Sequence, residues 1–141
     1  MSLTLTTCLQ SKPKPKEIAM IGSLMMCVGT LVLLIGMLAG IAMGIRQDFA
    51  LAPAHAHLNL VGGVLLFVFG LYYRLVPAAG STGLAKVQGW LHIVGAILFP
   101  AGIALVVLKG TSYIAAPVIG SLIVVAAMAL FAVIVFRSAR A

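Results

Sequence analysis

The chain has 141 residues, of which 63% are hydrophobic and 8% are charged, and its mean hydropathy is +1.24. A soluble domain carries about 25% charged residues, so this composition excludes a soluble fold and predicts an integral protein of the lipid bilayer. The formal net charge is +7 at pH 7. Because the basic residues are spread along the sequence and form no single patch, nucleic acid is not expected as a partner.

Four long apolar segments follow a polar start. Residues 1–16 contain two prolines and three lysines and predict a flexible cytoplasmic tail. Residues 17–141 predict a four-helix transmembrane domain with spans at about 18–45, 54–76, 84–108 and 113–136. Each span has the roughly 20 residues that a crossing helix needs, and none alternates polar with apolar residues as a barrel strand does. The prediction is an all-α membrane protein, an antiparallel bundle in which short loops make successive helices neighbours.

The first span is rich in glycine and methionine. Gly36, Gly40 and Gly44 follow one another at four-residue spacing, which lets another helix approach closely. Two interpretations stay open, namely packing between helices of one chain and contact between subunits. The methionines are expected to fill apolar space, with thioether ligation of copper as the alternative. They are Met20, Met25, Met26, Met37 and Met43.

The second span begins with the pattern His55-Ala56-His57. Residues two apart on an α-helix are rotated by ~200°, so the two imidazoles leave the helix on nearly opposite sides. That geometry suits a helix that offers one ligand to each of two neighbouring sites. Metal-ligating side chains within a membrane span are costly and usually functional, so we place the chemistry here. The alternative is a pair of interfacial histidines at the start of a helix after Pro53. Asn59, two positions on, is expected to form a hydrogen bond between helices.

The distribution of basic residues predicts the orientation. Arg46 and Lys109 fall at one end of the bundle, the end of the histidine pair. The other basic residues fall at the opposite end, and they are Lys12, Lys14, Lys16, Arg74, Lys86, Arg137 and Arg140. By the positive-inside rule both termini are cytoplasmic, and we expect a multi-pass protein of the bacterial inner membrane. Tyr72, Tyr73 and Trp90 predict an aromatic belt at the cytoplasmic interface.

The second and third spans resemble two consecutive helices of heme-copper oxidase subunit I. In that family one helix carries His-x-His near its outer end and closes in a Tyr-Tyr-x-x-Pro-like segment. The corresponding stretch here is His55-Ala-His57-Leu-Asn-Leu-Val-Gly-Gly63, then Phe69, Tyr72-Tyr73 and Val76-Pro77. The next family helix reads Leu-Ala-Lys-Ile-His-Phe-Trp-Leu, followed by Gly and by Phe-Pro. Here it reads Leu84-Ala85-Lys86-Val87-Gln88-Gly89-Trp90-Leu91, then Gly95 and Phe99-Pro100. The resemblance covers about 55 of the 141 residues.

The resemblance implies that His55 and His57 are axial ligands of heme iron, the first of a high-spin and the second of a low-spin heme. The chain also departs from the family. Gln88 replaces the family's histidine, the helices that carry the copper-binding histidines are missing, and no pattern for the cross-linked Tyr-His pair is present. A complete oxygen-reducing enzyme therefore cannot be built from this chain alone.

The family's subunit I consists of twelve helices in three arcs of four, and this chain resembles one arc. A homotrimer would then imitate the whole fold, with heme b held between subunits by His55 of one copy and His57 of the next. Arg46 and Lys109 would either pair with the heme propionates or extend to lipid headgroups. The function expected is cytochrome b-like electron transfer in respiration. Two alternatives are a copper or heme handling factor for oxidase assembly and an accessory subunit without cofactor.

His92, in the third span, is expected to be structural. Counting residues into a bilayer of ~30 Å places it ~14 Å from His57 in depth. Two axial ligands of one iron lie about 4 Å apart, with each Fe–N distance near ~2 Å. On this estimate His92 cannot share a heme with His57 of the same chain.

Overall fold

Four long helices make up most of the chain in the computed structural model, which describes residues 20–140. They are α1 (Met20–Arg46), α2 (Ala52–Leu75), α3 (Gly83–Lys109) and α4 (Ala115–Ser138). Each is long and apolar enough to cross a membrane, and the described residues contain no strand. The predicted all-α class is confirmed, and within residues 20–140 the helices end or begin within about two residues of the predicted spans. The predicted tail, residues 1–16, lies outside the described residues.

The helix ends follow local chemistry. Pro53 lies in the first turn of α2, where its missing N–H costs nothing. The Thr82 hydroxyl caps α3 by accepting a hydrogen bond from the Ala85 N–H at 3.1 Å. Gly110 ends α3 with a φ of 98°, a conformation that glycine adopts without strain. A single helical turn, Pro77–Gly80, links α2 to α3, and a 3₁₀ turn, Thr111–Tyr113, leads into α4.

Successive helices are neighbours, as the short loops require. Helix α1 packs mainly on α2, and α4 packs mainly on α3, while α2 and α3 meet in the middle. One end of the bundle, here called the histidine end, holds Arg46, His55, His57 and Lys109. The opposite end, here called the Arg74 end, holds Arg74, Lys86 and Arg137.

The buried core lies towards the Arg74 end. Met25, Leu66 and Tyr73 are fully buried there. The rings of Phe69 and Phe131 stack with their centroids 3.9 Å apart, which joins α2 to α4. The predicted aromatic belt is therefore wrong for Tyr73, whose ring lies in the core because its hydroxyl finds a buried partner there. Trp90 is 57% exposed, and its place in a belt stays a prediction.

Glycines bring α1 and α2 into backbone contact. A Cβ added at Gly29 would lie 2.8 Å from the Phe67 nitrogen and 2.9 Å from the Gly63 oxygen, and one at Gly22 would lie 2.8 Å from the Gly70 oxygen. These distances are too short for any side chain. We call this line of contact the glycine seam. It shows that glycines of the first span pack against another helix of the same chain.

Helix α2 is not a continuous α-helix. Its first part, Ala52–His57, and its last part, Leu66–Leu75, are α-helical, but the intervening Leu58–Leu65 is π-helical. Nothing in the sequence predicts this segment. Such segments are rare and occur often at functional sites. Here the π-helical segment begins directly after His57.

The glycine seam gives a stability prediction. Gly29→Ala should lower the free energy of unfolding by about 1–3 kcal/mol, because the new methyl group must push two helix backbones apart. Gly44→Ala is the matched control, since a Cβ there meets nothing within 4 Å. The control should be neutral, or more stable by up to ~1 kcal/mol from the higher helix propensity of alanine. Unfolding in mixed detergent measures both, and equal stability of the two variants would contradict the seam.

Candidate functional site

His55 lies between α2 and α1. It is half-buried, and a Cβ added at Gly40 would lie 3.0 Å from its Cε1 atom, so the ring rests on the α1 backbone. The Asn59 amide nitrogen lies 3.2 Å from Nδ1 and 3.3 Å from Nε2 of this ring, and it also donates to the His55 carbonyl at 3.0 Å. Gly36 leaves space for Asn59, whose side chain would overlap any Cβ there. The expected hydrogen bond of Asn59 between helices is thus wrong, because the amide bonds one turn back on its own helix.

His57 faces a different neighbour. Its ring meets Phe99 of α3 edge-on, with the centroids 4.8 Å apart and the planes at 72°. Its Nδ1 lies 2.7 Å from the Pro53 carbonyl oxygen. A carbonyl can only accept, so Nδ1 carries the proton and Nε2 remains for another partner. This arrangement is the one in which histidines commonly bind metals. The two rings thus leave α2 towards different helices, as the ~200° rotation predicts.

A cavity of about 460 Å³ opens at the histidine end between α1, α2 and α3. Its size falls within the ~300–1,000 Å³ usual for small-molecule and cofactor sites. The walls are mainly apolar, and the charged or titratable residues among them are Arg46, Asp48 and His55. The lining residues are Ala39, Ala42, Met43, Arg46, Asp48, Leu51, Ala54, His55, Leu58, Ile97, Pro100, Ala101 and Ala104. We call it the outer cavity, because it opens at one end of the bundle and not in the buried core.

The structure brings some of the predicted site residues together and separates others. His55 and Arg46 line the outer cavity, whereas His57 and Lys109 do not. Lys109 is exposed at the end of α3. Asp48 and Met43 also line the cavity. Asp48 was not predicted as a site residue, whereas Met43 was expected to fill apolar space, with copper ligation as the alternative. Asp48 could have been noticed, because the whole sequence has only two acidic residues.

The described residues offer no full set of side-chain ligands for a metal ion without a cofactor. Within residues 20–140 no group of three or more His, Cys, Asp or Glu side chains could hold one. Cys27, the cysteine in this part of the chain, is exposed on α1, away from the histidines. A metal at His55 would therefore need a macrocycle, a thioether or a ligand from a second subunit.

His92 is buried in the bundle. Its Nε2 donates to the Val61 carbonyl at 3.1 Å, and its ring meets Phe69 edge-on with the centroids 4.9 Å apart. The predicted depth of ~14 Å below His57 is too large. His92 bonds the Val61 carbonyl, and Val61 lies only four residues beyond His57 on α2, a rise of ~6 Å. The prediction measured both depths from the faces of one bilayer, whereas contacts between the helices set their relative level.

Comparison with protein families, curated proteins and solved structures finds no match for this chain. The resemblance to heme-copper oxidase subunit I therefore depends on the residues quoted above.

Asn59 should control the reactivity of His55. In Asn59→Ala the ring loses its amide partner, a contact worth ~1 kcal/mol, so acylation of His55 by diethylpyrocarbonate should become roughly fivefold faster. His57 in the same protein is the control, since its Nδ1 bond to Pro53 is untouched and its rate should not change. Mass spectrometry of the two histidines over time measures both rates. An unchanged His55 rate would show that Asn59 does not hold the ring.

Proposed function

We propose that this chain is a membrane heme protein that transfers electrons, with a b-type heme at the histidine end. The observation that carries the proposal is that one helix presents two half-buried imidazoles to different sides, one of them into an apolar cavity that also contains an arginine. We place the protein in the bacterial inner membrane with both termini cytoplasmic, because the Arg74 end carries the greater number of basic residues.

The outer cavity fits part of a heme site. Its apolar walls suit a hydrophobic macrocycle, and His55 supplies an imidazole at the α2 wall. Arg46 lies at the same cavity, and its planar guanidinium matches a carboxylate such as a propionate. When bound, heme would supply a one-electron redox centre. The chain's own contribution would be to fix the imidazole against Gly40 and to neutralise a propionate at Arg46. The Asn59 amide would then donate to the His55 carbonyl and leave the ring nitrogen to the iron.

A second histidine for the same iron would come from another copy. Within one chain His55 faces α1 and His57 faces α3, so the two rings are on different flanks of α2. His57 keeps Nε2 for an outside partner, because its Nδ1 is bonded to Pro53. We therefore propose a homotrimer in which His55 of one subunit and His57 of the next share a heme. Lys109, exposed at the same end, is the proposed partner of a propionate reaching across from the neighbouring subunit.

Two histidine ligands leave no open position on the iron, which favours electron transfer over oxygen chemistry. The changes from the oxidase family agree with this assignment. Gln88, at the position of a family histidine, is hydrogen-bonded to Tyr73 in the core.

Copper handling for oxidase assembly is the second candidate, and one observation favours it. Met43 and His55 line the same cavity, and a thioether with an imidazole is a ligand pair that suits Cu(I). The two candidates differ in what the purified protein contains. Heme gives a Soret band and sharp reduced bands, whereas copper is found by elemental analysis without a Soret band.

The spectrum of single-histidine variants tests the ligands. His55→Ala and His57→Ala should each abolish or strongly alter the low-spin reduced spectrum, because each removes one axial ligand. His92→Ala is the control, since His92 is bonded to Val61 in the core and should leave heme content and band shape unchanged. Absorption spectra and heme content of the purified variants measure these effects. A parent-like spectrum in both ligand variants would refute the assignment.

Co-expression tests whether the heme is shared between subunits. In a mixed trimer, a His57→Ala subunit still supplies His55 and a His55→Ala subunit still supplies His57, so some junctions hold both ligands. The co-expressed protein should therefore recover part of the low-spin spectrum, with less heme per chain than the parent. A site within one chain predicts no recovery. Differently tagged subunits, purified in sequence, restrict the measurement to mixed oligomers.

A further inference from the structure

Two polar side chains are fully buried in the middle of the bundle and each keeps one nitrogen without a partner. Gln88 and His92 are both 0% exposed. Within residues 20–140 neither the Gln88 Nε2 nor the His92 Nδ1 has a hydrogen-bond partner. Neither atom takes part in the proposed heme site. A membrane-embedded bundle offers no bulk water to such atoms, so this pair requires an explanation.

The other bonds of these side chains fix what each nitrogen can do. The Tyr73 hydroxyl donates to the Gln88 Oε1 at 2.9 Å, which leaves the Nε2 of this amide as a donor. The His92 Nε2 lies 3.1 Å from the Val61 carbonyl oxygen, so this nitrogen carries the proton and Nδ1 is an acceptor. One unpaired donor and one unpaired acceptor are thus complementary.

The two nitrogens also belong to one face of α3. Gln88 and His92 are four residues apart on an α-helix, a spacing at which side chains are neighbours. They point to the same helix, since their partners Tyr73 and Val61 both lie on α2. No hydrogen bond joins them directly. A small molecule that accepts on one side and donates on the other would satisfy both.

We propose that one water molecule binds between the Gln88 Nε2 and the His92 Nδ1. Water can accept from the amide and donate to the imidazole at once, and buried waters commonly satisfy pairs of this kind. With it, hydrogen bonds run from Tyr73 through Gln88, the water and His92 to the Val61 carbonyl. This site goes beyond the heme proposal and is independent of it.

The bound water has a definite effect on the helices. The chain of hydrogen bonds starts on α2, passes through two side chains of α3 and returns to α2 in the π-helical segment. It therefore fixes the register of α2 against α3 at two points, Val61 within that segment and Tyr73 beyond its end, and it holds His92 as the Nε2–H tautomer. An amide does not readily release a proton, so Gln88 makes this a site that holds water rather than a path that conducts protons.

Solid-state NMR of the full chain in lipid, with ¹⁵N-labelled histidine, tests the proposal. The His92 Nδ1 should be unprotonated and should receive polarisation from water. Gln88→Met removes the donor at similar length, and the water signal at Nδ1 should be lost. Tyr72→Phe is the matched control, because it removes an aromatic hydroxyl that bonds Ser138 rather than Gln88, and it should keep the signal.

Two results would overturn the proposal. One is a parent protein whose Nδ1 shows no water contact, whether the atom is dry or bonded directly to the Gln88 amide. The other is a water signal that persists unchanged in Gln88→Met. Should Gln88→Met fail to fold, infrared spectra of the parent in H₂¹⁸O decide instead. A narrow O–H band of a single ordered water that shifts with the isotope, and that is lost in a folded His92→Phe variant, supports the site. Absence of that band from the parent counts against it.

Discussion

Helices α1 and α2 touch along their backbones, and the histidine end depends on that contact. Apolar side chains gain little by leaving lipid for a helix interface, so close packing is what associates membrane helices. Gly22 and Gly29 allow the approach near the core, and the same face of α1 continues through Gly36 and Gly40. Because Gly36 and Gly40 have no side chains, Asn59 and His55 of α2 occupy the space beside them. The feature that joins the two helices therefore also sets the position of one imidazole.

The two histidines differ in how they are held, although they are two residues apart. His55 is positioned by the backbone of α1 at Gly40 and by the Asn59 amide of its own helix. His57 is positioned by its own helix, through the Pro53 carbonyl, and by the ring of Phe99. A change in α1 would therefore act on His55 first, and a change in α3 would act on His57. This asymmetry matches the proposal that each histidine serves a different junction.

Much of the fold could be predicted from the sequence, because the length of an apolar run and the charges at its ends are local properties. The four spans follow from them, and the opposite directions of His55 and His57 follow from the ~200° between residues two apart on a helix. The burial of Tyr73 could not be predicted, since it depends on Gln88 of another helix. The same holds for the cavity, which joins Arg46 and His55 but leaves Lys109 outside. The depth of His92 was misjudged because it was counted from the faces of the bilayer. Contacts between helices, such as that of His92 with Val61, determine how far one helix is shifted along its neighbour.

The π-helical segment has a consequence for how α2 is divided. Leu58–Leu65 separates the histidines from Phe69 and Tyr73, and a π-helix turns through a smaller angle per residue than an α-helix. The segment thus sets the rotation of the histidine-bearing turn about the helix axis relative to the core-packing turns. Residues of the segment also contact the neighbouring helices, since the Val61 carbonyl bonds His92 of α3 and the Gly63 carbonyl lies against Gly29 of α1. The direction in which the histidines point is therefore tied to the packing of all three helices.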